Sequence, residues 1–184
     1  LVVDGTEGPT EQDAKIMQAI LEDHKGVILV ANKSDLGQVQ VDKYKETFKA
    51  QVARVFHFFV DVPIVFTSAL KDQGMQDLFK EIEEVNRKLN YRITTSDLND
   101  FFFETIRKTH APVWGTTNVK FYYLTQTFQK PPAFIAFANH PDGVTNSYRR
   151  FLIKNMKEKF DLHGIPIRIF CMKSRAKGVN HKFG

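Results

Sequence analysis

The sequence predicts an α/β protein in two parts: an open, mainly parallel sheet with helices on both faces, then a smaller α+β module of order α-β-β-α-β. Three observations predict it. Up to about residue 91, short apolar runs alternate with stretches of helical period, the pattern of strands joined by helical crossovers. Beyond that point two strand-like runs follow one another with no helix between them. Charge divides at the same place: residues 1–93 carry 12 Lys and Arg against 15 Asp and Glu, whereas 94–184 carry 14 against 6.

The elements follow in order. Residues 1–4 read as a strand, and Thr10, with Asp13 three residues on, caps a helix whose Ile16, Met17, Ile20 and Leu21 share a face until Gly26 ends it. Residues 27–31 form the next strand. A long helix over 42–59 places Tyr44, Phe48, Val52, Val55, Phe56 and Phe59 at spacings of three and four. Residues 63–67 are a third strand, and Gly74 precedes a helix with Met75, Leu78, Phe79, Ile82, Val85 and Leu89 on one stripe. Residues 94–97 read as a linker ending in a cap before Leu98, Phe101, Phe102 and Ile106. Strands over 119–126 and 133–139, a helix over 145–162 stopped by Gly164, and a last strand over 166–173 complete the second part. In that last strand Ile167, Ile169 and Cys171 alternate with Arg168, Phe170 and Met172. The expected domains are 1–93 and 94–173, with 174–184 a basic tail.

Composition narrows the function classes. With 184 residues and 42% apolar content the chain can bury a core. Its longest apolar runs, 27–31 and 62–66, are too short to cross a bilayer, and no targeting segment is visible, so no membrane partner is expected. One cysteine, Cys171, cannot form an internal disulfide, which fits a reducing, cytoplasmic setting. The basic second half suits a polyanion such as RNA, or serves solubility alone.

The chemistry concentrates at Asn32-Lys33-Ser34-Asp35, which follows the strand at 27–31. In an open parallel sheet, ligands sit beyond the carboxyl ends of strands. Guanine offers donors at N1 and at its exocyclic amine, and the Asp35 carboxylate can accept both; adenine lacks the N1 donor. Lys33 can lay its aliphatic stem along the base, while Asn32 can tie neighbouring loops together or reach the base through its amide. Ser68-Ala69-Leu70, after the third strand, is a loop of mostly small residues whose backbone N–H groups could approach the guanine carbonyl oxygen. The competing reading of 32–35 is an ordinary polar turn.

Other motifs carry less. Asp23-His24-Lys25-Gly26 and Asp161-Leu162-His163-Gly164 match Asp-x-x-Gly, a pattern that senses a γ-phosphate, but both glycines read as helix C-caps. Nowhere does Gly-x-x-x-x-Gly-Lys-Ser/Thr occur, so the chain lacks a phosphate cradle and its magnesium ligand. The six histidines have no metal-ligand spacing, no catalytic dyad is visible, and Cys171 reads as a packing residue.

On these residues the chain resembles the Der (EngA) family of bacterial GTPases, two tandem G domains followed by a KH-like domain. The matching stretches are 4–13, the tetrad 32–35, Ser68-Ala69-Leu70, and 130–134, 147–151 and 164–168. The resemblance implies that 1–93 is the later, guanine-reading part of a P-loop-type G domain and 94–173 the KH-like module. It further implies GTP and GDP with Mg²⁺ as cofactors, association with the large ribosomal subunit or its RNA during assembly, and contacts with the missing G domains of a parent chain. The P-loop, both switches and the functional Asp-x-x-Gly are then expected upstream of Leu1. By itself this chain is expected to bind guanine nucleotide weakly or not at all and not to hydrolyse GTP.

The KH-like module departs from ordinary KH domains, for residues 94–184 hold no Gly-x-x-Gly to clamp an RNA backbone. Arg149, Arg150, Lys154 and Lys157 along one helix, with Arg175, Lys177 and Lys182 in the tail, are instead the candidate RNA or docking contacts, against a plain solvated helix face. The rival function is a nucleotide-independent RNA- or protein-binding module in which the half G domain is scaffold.

Overall fold

The computed structural model describes residues 1–36, 42–59, 61–109 and 111–174. Arg175, Lys177 and the rest of the basic tail lie outside the described residues. The chain divides into two compact units, Leu1–Tyr91 with Asp161–Pro166, and Arg92–Phe160 with Ile167 onward.

In the first unit β1 (Val2–Asp4), β2 (Leu29–Asn32) and β3 (Ile64–Phe66) form a parallel sheet in the order β1-β2-β3, flanked by helices α1 (Glu11–Glu22), α2 (Asp42–Val55) and α3 (Met75–Leu89). The period-two alternation sets the faces. Val3, Leu29 and Ala31 join Met17, Phe48 and Val52 in one buried core, while Val30 and Val65, one residue out of phase, are buried on the opposite face. Val2, in register with Val30 on that face, is 64% exposed.

Several boundaries differ from the sequence expectation for physical reasons. Helix α1 begins as expected, with Thr10 and Asp13 forming a capping box. It ends earlier, at Glu22, and His24, with a φ of 56°, supplies the left-handed turn that Gly26 was expected to provide. Gly26 instead lies against α3, where an added Cβ would meet Leu89 Cδ1 at 3.0 Å. Likewise Asp161, with φ 50°, turns the chain ahead of Gly164. Helix α2 stops at Val55, because a tight turn, Phe59 N–H to Phe56 O, buries both rings while leaving Phe58 at the surface. Ile16 is exposed because Met17 takes the inward position of α1. On α3 only Val85 is fully buried; Phe79 and Ile82 are exposed, and no described element covers them.

In the second unit α4 (Thr95–Lys108) is capped by Thr94, whose hydroxyl accepts from Asp97 N–H, so 95–97 are the first helical turn and not a linker. A short hairpin follows, β4 (Val113–Trp114) and β5 (Thr117–Asn118), too brief to leave a period in the sequence. Strands β6 (Phe121–Gln126), β7 (Ala133–Ala138) and β8 (Arg168–Lys173) form a sheet in that order, β6 antiparallel and β8 parallel to β7. Helix α5 (Asn146–Phe160) contributes Tyr148, Leu152 and Met156 to a core with Phe102, Phe121, Leu124 and Phe134. Phe121 links the layers, edge-on to Phe102 at 5.3 Å and stacked with Tyr148 at 5.9 Å. Among the described residues no helix is long and apolar enough to cross a membrane.

Phe48 is fully buried and packs edge-on against Phe66 at 5.4 Å. Phe48→Ala should therefore cost about 3–5 kcal/mol of unfolding free energy, read as a lower urea midpoint at unchanged slope.

Candidate functional site

The site forms where β1, β2 and β3 release their loops at one edge of the sheet. Asp4 and Asn32 are in register. Gly5 N–H then donates to Asn32 O at 2.8 Å, an approach that an added Cβ, 2.6 Å from that oxygen, would block. From the other side Thr67 N–H reaches Ala31 O and Ser34 N–H reaches Thr67 O, both at 2.9 Å. The side-chain carbonyl of Asn32 closes the junction: Oδ1 accepts from Ala69 N–H at 3.0 Å and from the Thr67 hydroxyl at 3.3 Å. Of the two roles open to Asn32, the loop tie is the one formed, and it occupies the Ala69 N–H.

The loop after β3 is closed by paired backbone bonds between Ser68 and Gln73, each 3.0 Å. Gly74, at φ 76°, starts α3 where a Cβ would come within 2.1 Å of Phe66 O, so only glycine fits. Ser68 is fully buried, and its Oγ accepts from Lys71 N–H. The same hydroxyl hydrogen-bonds the Asp35 carboxylate and is the main cause that lowers the Asp35 pKa. Lys71 Nζ stands 3.9 Å from Asp35 Oδ2, and the Asp35 side chain is only 8% exposed.

Lys33 adopts φ 67°, a left-handed conformation uncommon outside glycine. Its ammonium lies 2.5 Å from Asp4 Oδ2, while Asp4 Oδ1 accepts from Thr6 N–H and the Thr6 hydroxyl at 2.8 and 2.6 Å. Lys33, then Thr6, hold the Asp4 carboxyl far below the usual range, and Asp4 raises Lys33 in return. Sequence reasoning missed Asp4 and Thr6 as members of the site. The signal was the parallel register, which puts the end of β1 beside the start of the tetrad.

Asn32, Lys33, Asp35, Leu36, Ser68, Ala69 and Leu70 line one cavity of about 510 Å³. It thus brings together all six residues singled out from the sequence and adds Leu36, a half-exposed apolar side chain following the tetrad. Its volume suits a small ligand. A larger groove of about 1120 Å³ passes α1 and the end of α2, but its carboxylates, Glu11 and Glu22, stand on an exposed helix side. No group of three His, Cys, Asp or Glu side chains that could hold a metal occurs among the described residues.

The α5 cations do not act as one set. Arg150, Lys154 and Lys157 recur at i, i+4 and i+7 on one face. Arg149 is half-buried, and its guanidinium lies against Cys171, whose thiol burial pushes up.

Two family models match the chain. The KH-domain-like C-terminal domain of EngA bacterial GTPase enzymes matches residues 92–171, and the elongation factor Tu GTP binding domain matches 1–88. The GTPase Der of Geobacter metallireducens is 38% identical over 169 residues, 92% of this chain and 38% of that relative. The chain belongs to the Der (EngA) family. The Der proteins of Lactobacillus johnsonii and Moorella thermoacetica are 35% identical over 175 residues and 36% over 180, covering 95% and 96% of this chain. The chain spans 38 to 40% of the length of these curated relatives. It combines a GTP-binding-domain segment with a KH-like domain.

Because the Asp4 pKa is lowered on folding, its contribution to stability is full above roughly pH 4 and is lost as pH falls toward its folded value. Asp4→Asn should therefore unfold at lower urea than the wild type at pH 7, and the gap should narrow in acid. Equal midpoints at neutral pH would show that the pair with Lys33 contributes nothing.

Proposed function

We propose that the first unit is the guanine-reading part of a GTP-binding domain, in a protein that hydrolyses GTP and acts in assembly of the large ribosomal subunit. The observation that carries the guanine reading is the shared cavity of Asp35 and the loop 68–70, tied by Asn32 Oδ1. Asp35, ionised at neutral pH, is an acceptor-only group held at the end of a parallel strand. Guanine N1–H and its exocyclic amine can both donate to it, whereas adenine would set a ring nitrogen lone pair against it. Ser68 fixes the carboxylate, and the stem of Lys33, its ammonium anchored on Asp4, can flank the base. Asn32, Lys33, Asp35, Ser68, Ala69 and Leu70 are the residues proposed to bind GTP or GDP.

Phosphate chemistry needs groups that these 184 residues do not encode. There is no Gly-x-x-x-x-Gly-Lys-Ser/Thr, and the donor set at the cavity, one carboxylate already bonded to a hydroxyl beside an ammonium, does not suit Mg²⁺. Accordingly the chain by itself holds guanine nucleotide weakly and has no hydrolytic step.

The ribosomal part of the reading rests on the family resemblance and on the basic second half, 14 Lys and Arg against 6 Asp and Glu over 94–184. Arg150, Lys154 and Lys157 on α5, with Arg149 and the tail's Arg175 and Lys177, are the proposed RNA or docking contacts. A cytoplasmic setting goes with this reading.

Titration of the labelled chain with GDP should shift the amide resonances of residues 33–36 and 68–70, with ADP producing none of these shifts at the same concentration. Asp35→Asn should abolish the preference, with a cooperative urea transition at a somewhat lower midpoint showing that the variant is folded. A matching response to ADP, or shifts confined to other residues, overturns the guanine pocket. GTP turnover by the purified chain should stay at the uncatalysed rate, and any measurable catalysis would contradict the division of labour proposed here.

A further inference from the structure

Among the described residues, the helices of the second unit cover one face of its sheet. Leu124, Phe134, Ala136 and Ile169 are buried beneath α4 and α5, and the residues between them point the other way. Register lines these up in rows across the three strands: Tyr123, Phe137 and Met172 in one, Thr125, Ile135 and Phe170 in the next. Tyr123 is 42% exposed, Phe170 43% and Met172 49%, and the Tyr123 and Phe137 rings stack at 4.4 Å. At one end of this face the loop after β6 raises Phe128, which is 92% exposed.

Cations are already seated on these rings. The Arg92 guanidinium lies 4.3 Å from the centre of Phe128 and Arg168 lies 5.4 Å from that of Phe170. Gln129 accepts from Arg168 Nη2 at 3.0 Å, and the buried Arg168 Nε has no hydrogen-bond partner. Lys120 reaches the ring of Tyr122, which stands out from the bulge in β6. Carboxylates are absent from β6, β7, β8 and the loop 127–132. Asp97, Asp100, Glu104 and Glu158 belong to α4 and α5, and Asp142 to the short 3₁₀ turn Pro141–Gly143.

We propose that this open sheet face binds an unpaired RNA strand, with bases stacked on Tyr123, Phe170 and Phe128 and phosphates paired to Arg92, Arg168 and Lys120. Flat rings interleaved with cations and free of acid match the two chemistries of a single strand, exposed base faces and a polyanionic backbone. A duplex keeps its base faces stacked internally and cannot use the rings. An apolar protein surface would leave the guanidinium groups uncompensated. The inference rests on the reading of the second unit as RNA-facing and deepens it, placing the strand on the sheet rather than on the α5 cations.

Anisotropy of a labelled oligouridine of about ten nucleotides, titrated with the whole 184-residue chain, tests it. Binding should fall steeply between about 50 and 200 mM salt and should exceed binding of an RNA duplex of equal length. Tyr123→Ala and Phe170→Ala should each weaken it roughly tenfold, while Phe170→Trp, which keeps a ring, should restore it. Both positions are partly solvent-exposed, and unchanged urea midpoints verify that the variants are folded. Loss on Lys154→Ala with no effect of the ring variants puts the strand on α5, overturning the sheet site while sparing the RNA reading. No binding of oligouridine with retained duplex binding has the same meaning. Failure to bind either RNA overturns both. Self-association that Phe170→Ala abolishes, without RNA binding, makes the face a protein contact and likewise overturns the proposal.

Discussion

The Asn32 side-chain carbonyl holds the candidate site together. It sits at the end of the middle strand and accepts from Thr67 and Ala69, the latter 37 residues further along the chain and beyond one helical crossover. Losing that acceptor would leave the Ala69 N–H without its partner, at a cost of about 1–3 kcal/mol where water cannot replace it. More consequential is the geometry. Asp35 can be fixed by Ser68 only if the loops after β2 and β3 keep their spacing, and that spacing is set by Asn32 with the Ser34 to Thr67 backbone bond.

The electrostatics follow from this arrangement. Two carboxylates, Asp4 and Asp35, stand at adjacent strand ends, each beside a hydroxyl and an ammonium: Thr6 and Lys33 for the first, Ser68 and Lys71 for the second. Both pKa values are lowered by these partners, so both groups are pure acceptors at neutral pH. A reader of ring N–H donors requires that state. The left-handed backbone of Lys33 costs on the order of 1 kcal/mol, and the contact with Asp4 fixes the side chain that this backbone redirects.

Much of the fold was legible because its signals are periodic. The strand-helix alternation of the first half and the α-β-β-α-β order of the second both appear, and Thr10 and Thr94 cap helices through local side-chain chemistry that any sequence displays. What escaped was non-local. His24 and Asp161 supply the left-handed residues just past α1 and α5, because a polar residue can adopt positive φ; Gly26 packs against Leu89, and Gly164, itself at φ 82°, lies against Pro63. Phe79 and Ile82 fit the period of α3, yet periodicity records what a helix could bury and says nothing of whether a neighbour is there to cover it. At the site the tetrad and the 68–70 loop were readable from residue type and strand position. Asp4 and Thr6 were not, since their place depends on which strands are neighbours.

The outer strand of the first sheet has a practical consequence for handling the molecule. β1 is three residues long, carries no Lys or Pro, and leaves Val2 largely uncovered, while α3 presents Phe79 and Ile82 to water. Short length protects this border against recruiting a stranger's backbone, and oily side chains work against it. A strand border with uncovered apolar side chains nearby opens this unit to pairing with a second copy when the 184 residues are concentrated.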